Sequence, residues 1–203
     1  MSRLESIDRR VRFGHVAVAL VLVVLSALAL RLSALPRMTE LASDKAYFAS
    51  LNIPPLFDAR KQGYSFDDAK RHLEALGPAA RDYYAGVYIP GYDLVFPVTL
   101  FAFGILFCLW MTQPTRRFAA ALQPASRLAI LIIPLGLFIF DILENISVLA
   151  MLKSYPSVDP GLASAASLFS RIKWLSAYCA WALAAALLVL ASFRVLTSRR
   201  TNK

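Results

Sequence analysis

Apolar residues gather into four long blocks with polar stretches between them. Residues 16–30 read VAVALVLVVLSALAL, 95–111 read VFPVTLFAFGILFCLWM, and 174–193 read WLSAYCAWALAAALLVLASF. The remaining block, LAILIIPLGLFIF at 128–140, resumes as ISVLAML once Asp141, Glu144 and Asn145 have interrupted it. A helix needs about 20 residues to cross the hydrocarbon core of a bilayer, and with its flanks each block reaches that length. The period-two alternation of a membrane barrel strand is missing, which leaves helices as the spanning element. The pattern therefore predicts an all-α integral membrane protein, a four-transmembrane-helix bundle. Its helices fall at about 13–35, 91–112, 128–152 and 168–194, and residues 1–203 read as a single membrane domain.

The first block fits two readings. Its Arg-rich flank, apolar core and Ala27-Leu28-Ala29 triplet match a cleavable signal peptide. The apolar stretch nevertheless continues to Leu35, longer than such a peptide needs, which favours an uncleaved anchor. Cleavage would leave three helices in the same orientation.

Between the first two blocks, residues 36–90 predict short amphipathic helices in an extracytoplasmic loop. TELASDKAYFASL (39–51) offers Thr39 as a cap and spaces Leu41, Phe48 and Leu51 along one face. NIPPLFDARKQG (52–63) reads as a turn-rich connector. SFDDAKRHLEAL (65–76) starts with Ser65 and Asp68 in capping-box spacing, and Gly77-Pro78 ends it. PAARDYYAGVY (78–88) then begins a further helix with proline in its first turn. Such short helices are expected to lie over the mouth of the bundle or along the interface. All eight tyrosines fall on this side, the pattern of an aromatic belt at headgroup level or of a tyrosine-lined vestibule.

Composition adds little to this pattern, but charge fixes a direction. Hydrophobic residues make up 58% and charged ones 17%, too apolar for an ordinary soluble domain. The net charge of +9 sits entirely on one side. Arg3, Arg9, Arg10, Arg12, Arg116, Arg117, Arg127, Arg194, Arg199, Arg200 and Lys203 flank the helices there, against Glu5 and Asp8. By the positive-inside rule that side is cytoplasmic and holds both termini. Short flanks of this kind offer no folded basic face, so no nucleic-acid partner is expected. An Ala- and Arg-rich chain with short cytoplasmic loops suits a bacterial inner membrane. Cys108 and Cys179 differ in depth by about 15 Å, too far for a disulfide.

Why should the third block carry acids? Helix rise puts Asp141 about 21 Å and Glu144 about 25 Å above the cytoplasmic end. The same count places Asp93 near 28 Å, Arg31 near 27 Å, Tyr178 at about 24 Å and Lys173 near 31 Å. Every helix thus contributes to one polar layer in the outer half. Asp141, Glu144 and Asn145, at i, i+3 and i+4, share a helix face. A charge at mid-membrane costs about 2.5–3.5 kcal/mol, so that face should point inward. Arg31 and Lys173 are long enough to reach the carboxylates. The candidate binding cluster is Arg31, Asp93, Asp141, Glu144, Asn145, Lys173 and Tyr178.

The layer suits binding or movement of a cation, a proton or a polar lipid headgroup, with membrane lipid as the surrounding partner. Two alternatives stay open: a membrane-embedded acid/base enzyme acting on a lipid-like substrate, and a structural or assembly subunit whose acids only pair helices. Transport would call for a homo-oligomer or a partner membrane protein. No cofactor and no metal site is expected: no Gly-rich phosphate loop, HExxH or CxxC occurs, and Asp93, Asp141 and Glu144 as oxygen ligands are only a weak signal for a metal. The two histidines fall on opposite sides, and His72 reads as a surface or interface residue. No particular catalytic residue emerges.

Overall fold

A computed structural model describes the backbone of residues 11–113 and 124–200, and the side chains of 11–113 and 128–189. Of the basic flank residues that set the predicted orientation, all but Arg12 fall outside that range or have no described side chain. Every regular element among the described residues is helical, and four helices are long and apolar enough to cross a membrane. They are Phe13–Leu41, Phe66–Met111, Leu128–Ser154 and Pro160–Val189.

The first crossing begins as α1 (Phe13–Ala29), widens into a π-helical stretch (Leu30–Ala34) and ends as α2 (Leu35–Leu41). The widening has a local cause. Pro36 has no amide hydrogen, and just before it the Leu35 amide bonds back five residues to the Leu30 carbonyl. Thr39 does not cap a new helix. It lies inside α2, where its hydroxyl donates to the Leu35 carbonyl at 2.9 Å. The cap of the next helix, α3 (Lys45–Leu51), is Asp44, which accepts the Tyr47 amide at 2.9 Å. A 3₁₀ turn at Phe57–Ala59 lies within the connector that follows.

Ser65 and Asp68 form the capping box at the start of α4 (Phe66–Tyr83). Gly77 breaks that helix with φ 71° and ψ 171°, and Pro78 restarts it. The break frees carbonyls on α4. Those of Leu76 and Ala75 accept the Ser43 and Asp44 amides at 3.1 and 2.9 Å. Ser43 comes so close that a Cβ on residue 77 would meet its hydroxyl at 1.8 Å, so the position demands glycine twice over. The helical path then continues without a loop, through a π-helical stretch (Tyr84–Asp93) into the apolar α5 (Leu94–Met111). The second crossing is therefore the end of a 46-residue helical run and not a free-standing helix. Beyond the gap, α6 (Pro124–Ser154) and α7 (Pro160–Arg200) form an antiparallel pair. Asp159 caps α7 by accepting the Leu162 amide at 2.8 Å, which starts that helix eight residues before the predicted 168.

Burial is distributed in an unusual way for a globular chain. Only 11% to 22% of each crossing window is buried within the molecule. The main core lies instead at one end. There Met38, Phe48, Phe57, Leu73, Leu76 and Tyr84 pack on Val148, Met151, Ala163 and Ala166 of α6 and α7. Lipid-facing helices need no apolar burial, whereas the cap formed by residues 35–90 does. Tyr64, Tyr84 and Tyr88 belong to this core, so the aromatic-belt reading fails for them.

His72 is also in that core, fully buried where a surface or interface position was expected. Its ring lies 4.3 Å from that of Phe57 and 5.0 Å from that of Phe48. Nδ1 accepts from the Arg60 guanidinium at 3.4 Å, while Nε2 has no partner. Burial first, and Arg60 second, lower its pKa from 6.5 to about 3. An unfolded chain takes up a proton below about pH 6.5 that the folded cap refuses until far lower. Stability should therefore fall as pH drops through that window, by up to about 1.4 kcal/mol per pH unit. Phenylalanine fits the same aromatic slot, and His72→Phe should flatten the decline in melting temperature between pH 7 and pH 4. An unchanged slope would assign the acid loss to other groups.

Candidate functional site

α7 presents Ser167, Ser170, Lys173 and Ala177 inward at near-helical spacing, all four buried. The Lys173 ammonium meets three carboxylates: Asp58 Oδ1 at 2.8 Å, Asp141 Oδ1 at 3.0 Å and Glu144 Oε2 at 2.5 Å. Asp141 and Glu144 come from one face of α6. Asp58 comes from the 3₁₀ turn of the cap and is held through the preceding amide and its own carbonyl. The Phe57 amide donates to the Tyr84 hydroxyl at 3.1 Å, and the Asp58 carbonyl accepts the Trp174 indole N–H at 3.1 Å. Two further bonds fasten the same loop to α7. The Tyr64 amide donates to Ser167 Oγ and Arg171 Nε to the Gln62 carbonyl, each at 2.8 Å.

The centre carries surplus polar capacity. Glu144 Oε1, Asp141 Oδ2, Asn145 Nδ2, Ser170 Oγ and the Tyr64 hydroxyl are buried without a hydrogen-bond partner among the described residues. Burial and then the charges of Glu144 and Asp58 push the Tyr64 hydroxyl far above its ordinary pKa, so it is a donor at any physiological pH. Asp93 ends the π-helical stretch, is 3% exposed, and also leaves Oδ2 unpartnered.

Below these groups lies a cavity of about 310 Å³ between α5, α6 and α7. Asp58, Asp93, Asp141 and Lys173 line one end of it. Phe96, Leu100, Phe101, Phe107, Leu137 and Phe138 supply much of the rest. Phe101 stacks on Phe138 at 4.8 Å, forming a wall where α5 meets α6. Gly104 allows that approach, since a Cβ there would come within 2.9 Å of Pro134.

The predicted cluster is thus divided. Asp93, Asp141 and Lys173 line the cavity together, and Glu144 stands behind Lys173. Asn145 is buried beside Glu144 on the same α6 face. Arg31 lies exposed on the π-helical stretch of the first crossing and makes no ion pair with these acids. Tyr178 is 48% exposed on the outside of α7, its ring 6.1 Å from that of Trp174 and 5.8 Å from that of Trp181. Asp58 joins from the stretch read only as a connector (52–63), and Tyr64, read as one of the belt or vestibule tyrosines, joins from the residue after it. The one sequence signal for Asp58 is its setting after the stiff apolar run Pro54-Pro55-Leu56-Phe57, which would turn inward.

Comparison with protein-family models, curated proteins and solved structures gives no match. Chemistry must be read from geometry. Oxygens of Asp58, Asp141 and Glu144 all lie within 4.8 Å of one another, close enough for metal ligation. The Lys173 ammonium fills the space between them, so an internal cation stands where an external one would. The centre holds its positive charge in an apolar setting and borders the cavity between α5, α6 and α7.

Proposed function

We propose that this chain is a membrane-embedded binding protein whose site takes a cation, a proton or the positive part of a polar headgroup. The observation that carries the reading is one lysine among three carboxylates, with the additional Asp93 carboxylate unpaired at the same end of the cavity. An intramembrane acid retained without a partner is costly, and such residues mark ion, proton or substrate sites. The basic flanks favour cytoplasmic termini, which puts the cap and the centre beneath it on the extracytoplasmic side of a bacterial inner membrane. Four helices working as a single membrane domain would move a solute only within an oligomer, so binding is the primary act.

The test is thermal stability of the purified protein in a maltoside detergent. Methylammonium, sodium and potassium chlorides are compared at matched concentration. A ligand that binds only the folded state raises stability with the logarithm of its concentration, by about 2.7 kcal/mol at a hundred times Kd. One of these cations is expected to give a saturable rise that the others do not. Identical curves for all would remove the reading.

A further inference from the structure

We infer that the ligand of this site is an amphiphile with an ammonium-type head at Asp93 and one hydrocarbon chain running down the cavity. The inference rests on the binding reading above and names the class of molecule bound.

Shape is the first argument. The lining descends from Asp93, at the end of the π-helical stretch, to Cys108 on α5 and from Lys173 to Ala184 on α7. At the rise of an α-helix these stretches measure about 22 Å and about 16 Å along the bundle. A space of about 310 Å³ drawn out over that length is narrow. It is about twice the size of an engineered apolar cavity that accepts benzene, and near the lower bound for ligand pockets in general. One chain fits it, whereas a two-chain lipid does not.

Polarity is the second argument. All the charged lining is at one end, and the walls below are aromatic and aliphatic. A free inorganic cation would leave those walls without a partner. An amphiphile aligned with the helices satisfies both ends at once, and it would enter from the bilayer where it already resides.

Charge gives the sign of the head. Lys173 is shared by Asp58, Asp141 and Glu144, so it has no capacity left for an anion. Asp93, nine-tenths buried and lining the same end, forms no ion pair among the described residues and has Oδ2 free of any bond. An ammonium supplies the missing donor and the missing charge. An anionic head would meet the three carboxylates that line this end, Asp58, Asp93 and Asp141.

A route in is visible. α5 and α7 both pack against α6 but scarcely touch each other. Trp181 lines the cavity while being 60% exposed, which opens the space sideways toward lipid.

The experiment is a chain-length series of hexyl-, octyl- and decylammonium, with decanol and decyl sulfate as controls. Affinity is read from thermal shifts in maltoside detergent for the wild type, Asp93→Asn and Ala184→Phe. Each added methylene should strengthen binding by up to about fourfold, and decylammonium should exceed decanol by at least tenfold. Asp93→Asn should erase that preference for the charged head while leaving the unliganded melting temperature equal or higher. Ala184→Phe, at the far end, should remove the gain from octyl to decyl and spare hexylammonium. Decanol or decyl sulfate binding as well as decylammonium would overturn the assignment of the head. A saturable response to methylammonium with no gain from chain length would overturn the amphiphile and leave the cation reading standing. Failure of methylammonium and every alkylammonium alike would end the amphiphile, and identical curves for sodium and potassium as well would end the cation reading with it.

Discussion

Lys173→Met is expected to cost the fold about 3–5 kcal/mol, the usual penalty for leaving buried charge without its partner. Methionine is close to lysine in length and apolar, so little packing is lost. What disappears is the ammonium that three carboxylates share. Their oxygens lie within 4.8 Å of one another, and at an effective dielectric near 20 each like-charged pair at that separation repels by about 3 kcal/mol. In the wild type the ammonium offsets this repulsion at 2.5–3.0 Å from each acid. Because Asp58 belongs to the cap, the loss should also loosen the turn at Phe57–Ala59 from α7. Unfolding of the purified protein followed by intrinsic fluorescence measures the first effect. Amide hydrogen exchange at residues 57–64 measures the second. Wild-type stability in Lys173→Met would mean that the acids are already neutral in the folded chain and that the centre holds no charge to bind with.

The four apolar blocks are legible because hydropathy summed over about 20 residues reports one dominant solvent, the hydrocarbon. The shared face of Asp141, Glu144 and Asn145 is legible for an equally local reason, since i, i+3 and i+4 positions coincide on any helix. Depth along a helix can be counted, but rotation about its axis cannot be read without a neighbour. Tyr178 shows the consequence. It stands five residues beyond Lys173, which at about 100° per residue puts it roughly 140° round the helix. The two share a layer and face in different directions. Arg31 reaches the same height on a helix that packs mainly on α5, away from the acids.

Tertiary placement hid the rest. Asp58 reaches Lys173 only because the Tyr84 hydroxyl and the Trp174 indole hold its turn, contacts that span 27 and 116 residues. No window of local sequence contains them. His72 was obscured because its own helix is amphipathic by composition, while α3 and the 3₁₀ turn cover the face on which it lies. Gly77 illustrates the reverse. Gly-Pro signals a stop, and a positive φ does break α4 there, but Pro78 is well suited to start a helix. The stop becomes a kink.

Asp141→Asn combined with Glu144→Gln should leave stability unchanged or raise it, the opposite of the Lys173 result. Both substitutions keep shape and hydrogen-bonding capacity. They remove two ion pairs with Lys173, but they also remove all three carboxylate repulsions and the desolvation cost of two charges. Attraction lost and repulsion relieved are of similar size at these distances, and desolvation, several kcal/mol per buried ion, tips the balance. A one-to-one pair between Lys173 and Asp58 at 2.8 Å remains to hold the cap. The same two changes should rescue much of the Lys173→Met defect when all three are combined, because only one carboxylate of the trio would then lack a partner. A structural clamp predicts the reverse for the double variant, a loss of about 3–5 kcal/mol. Thermal unfolding of the four proteins in one detergent separates these readings. Stability that survives loss of two of three acids would mean that their charge serves something other than the fold, and that a ligand able to use it is what the cavity is built to hold.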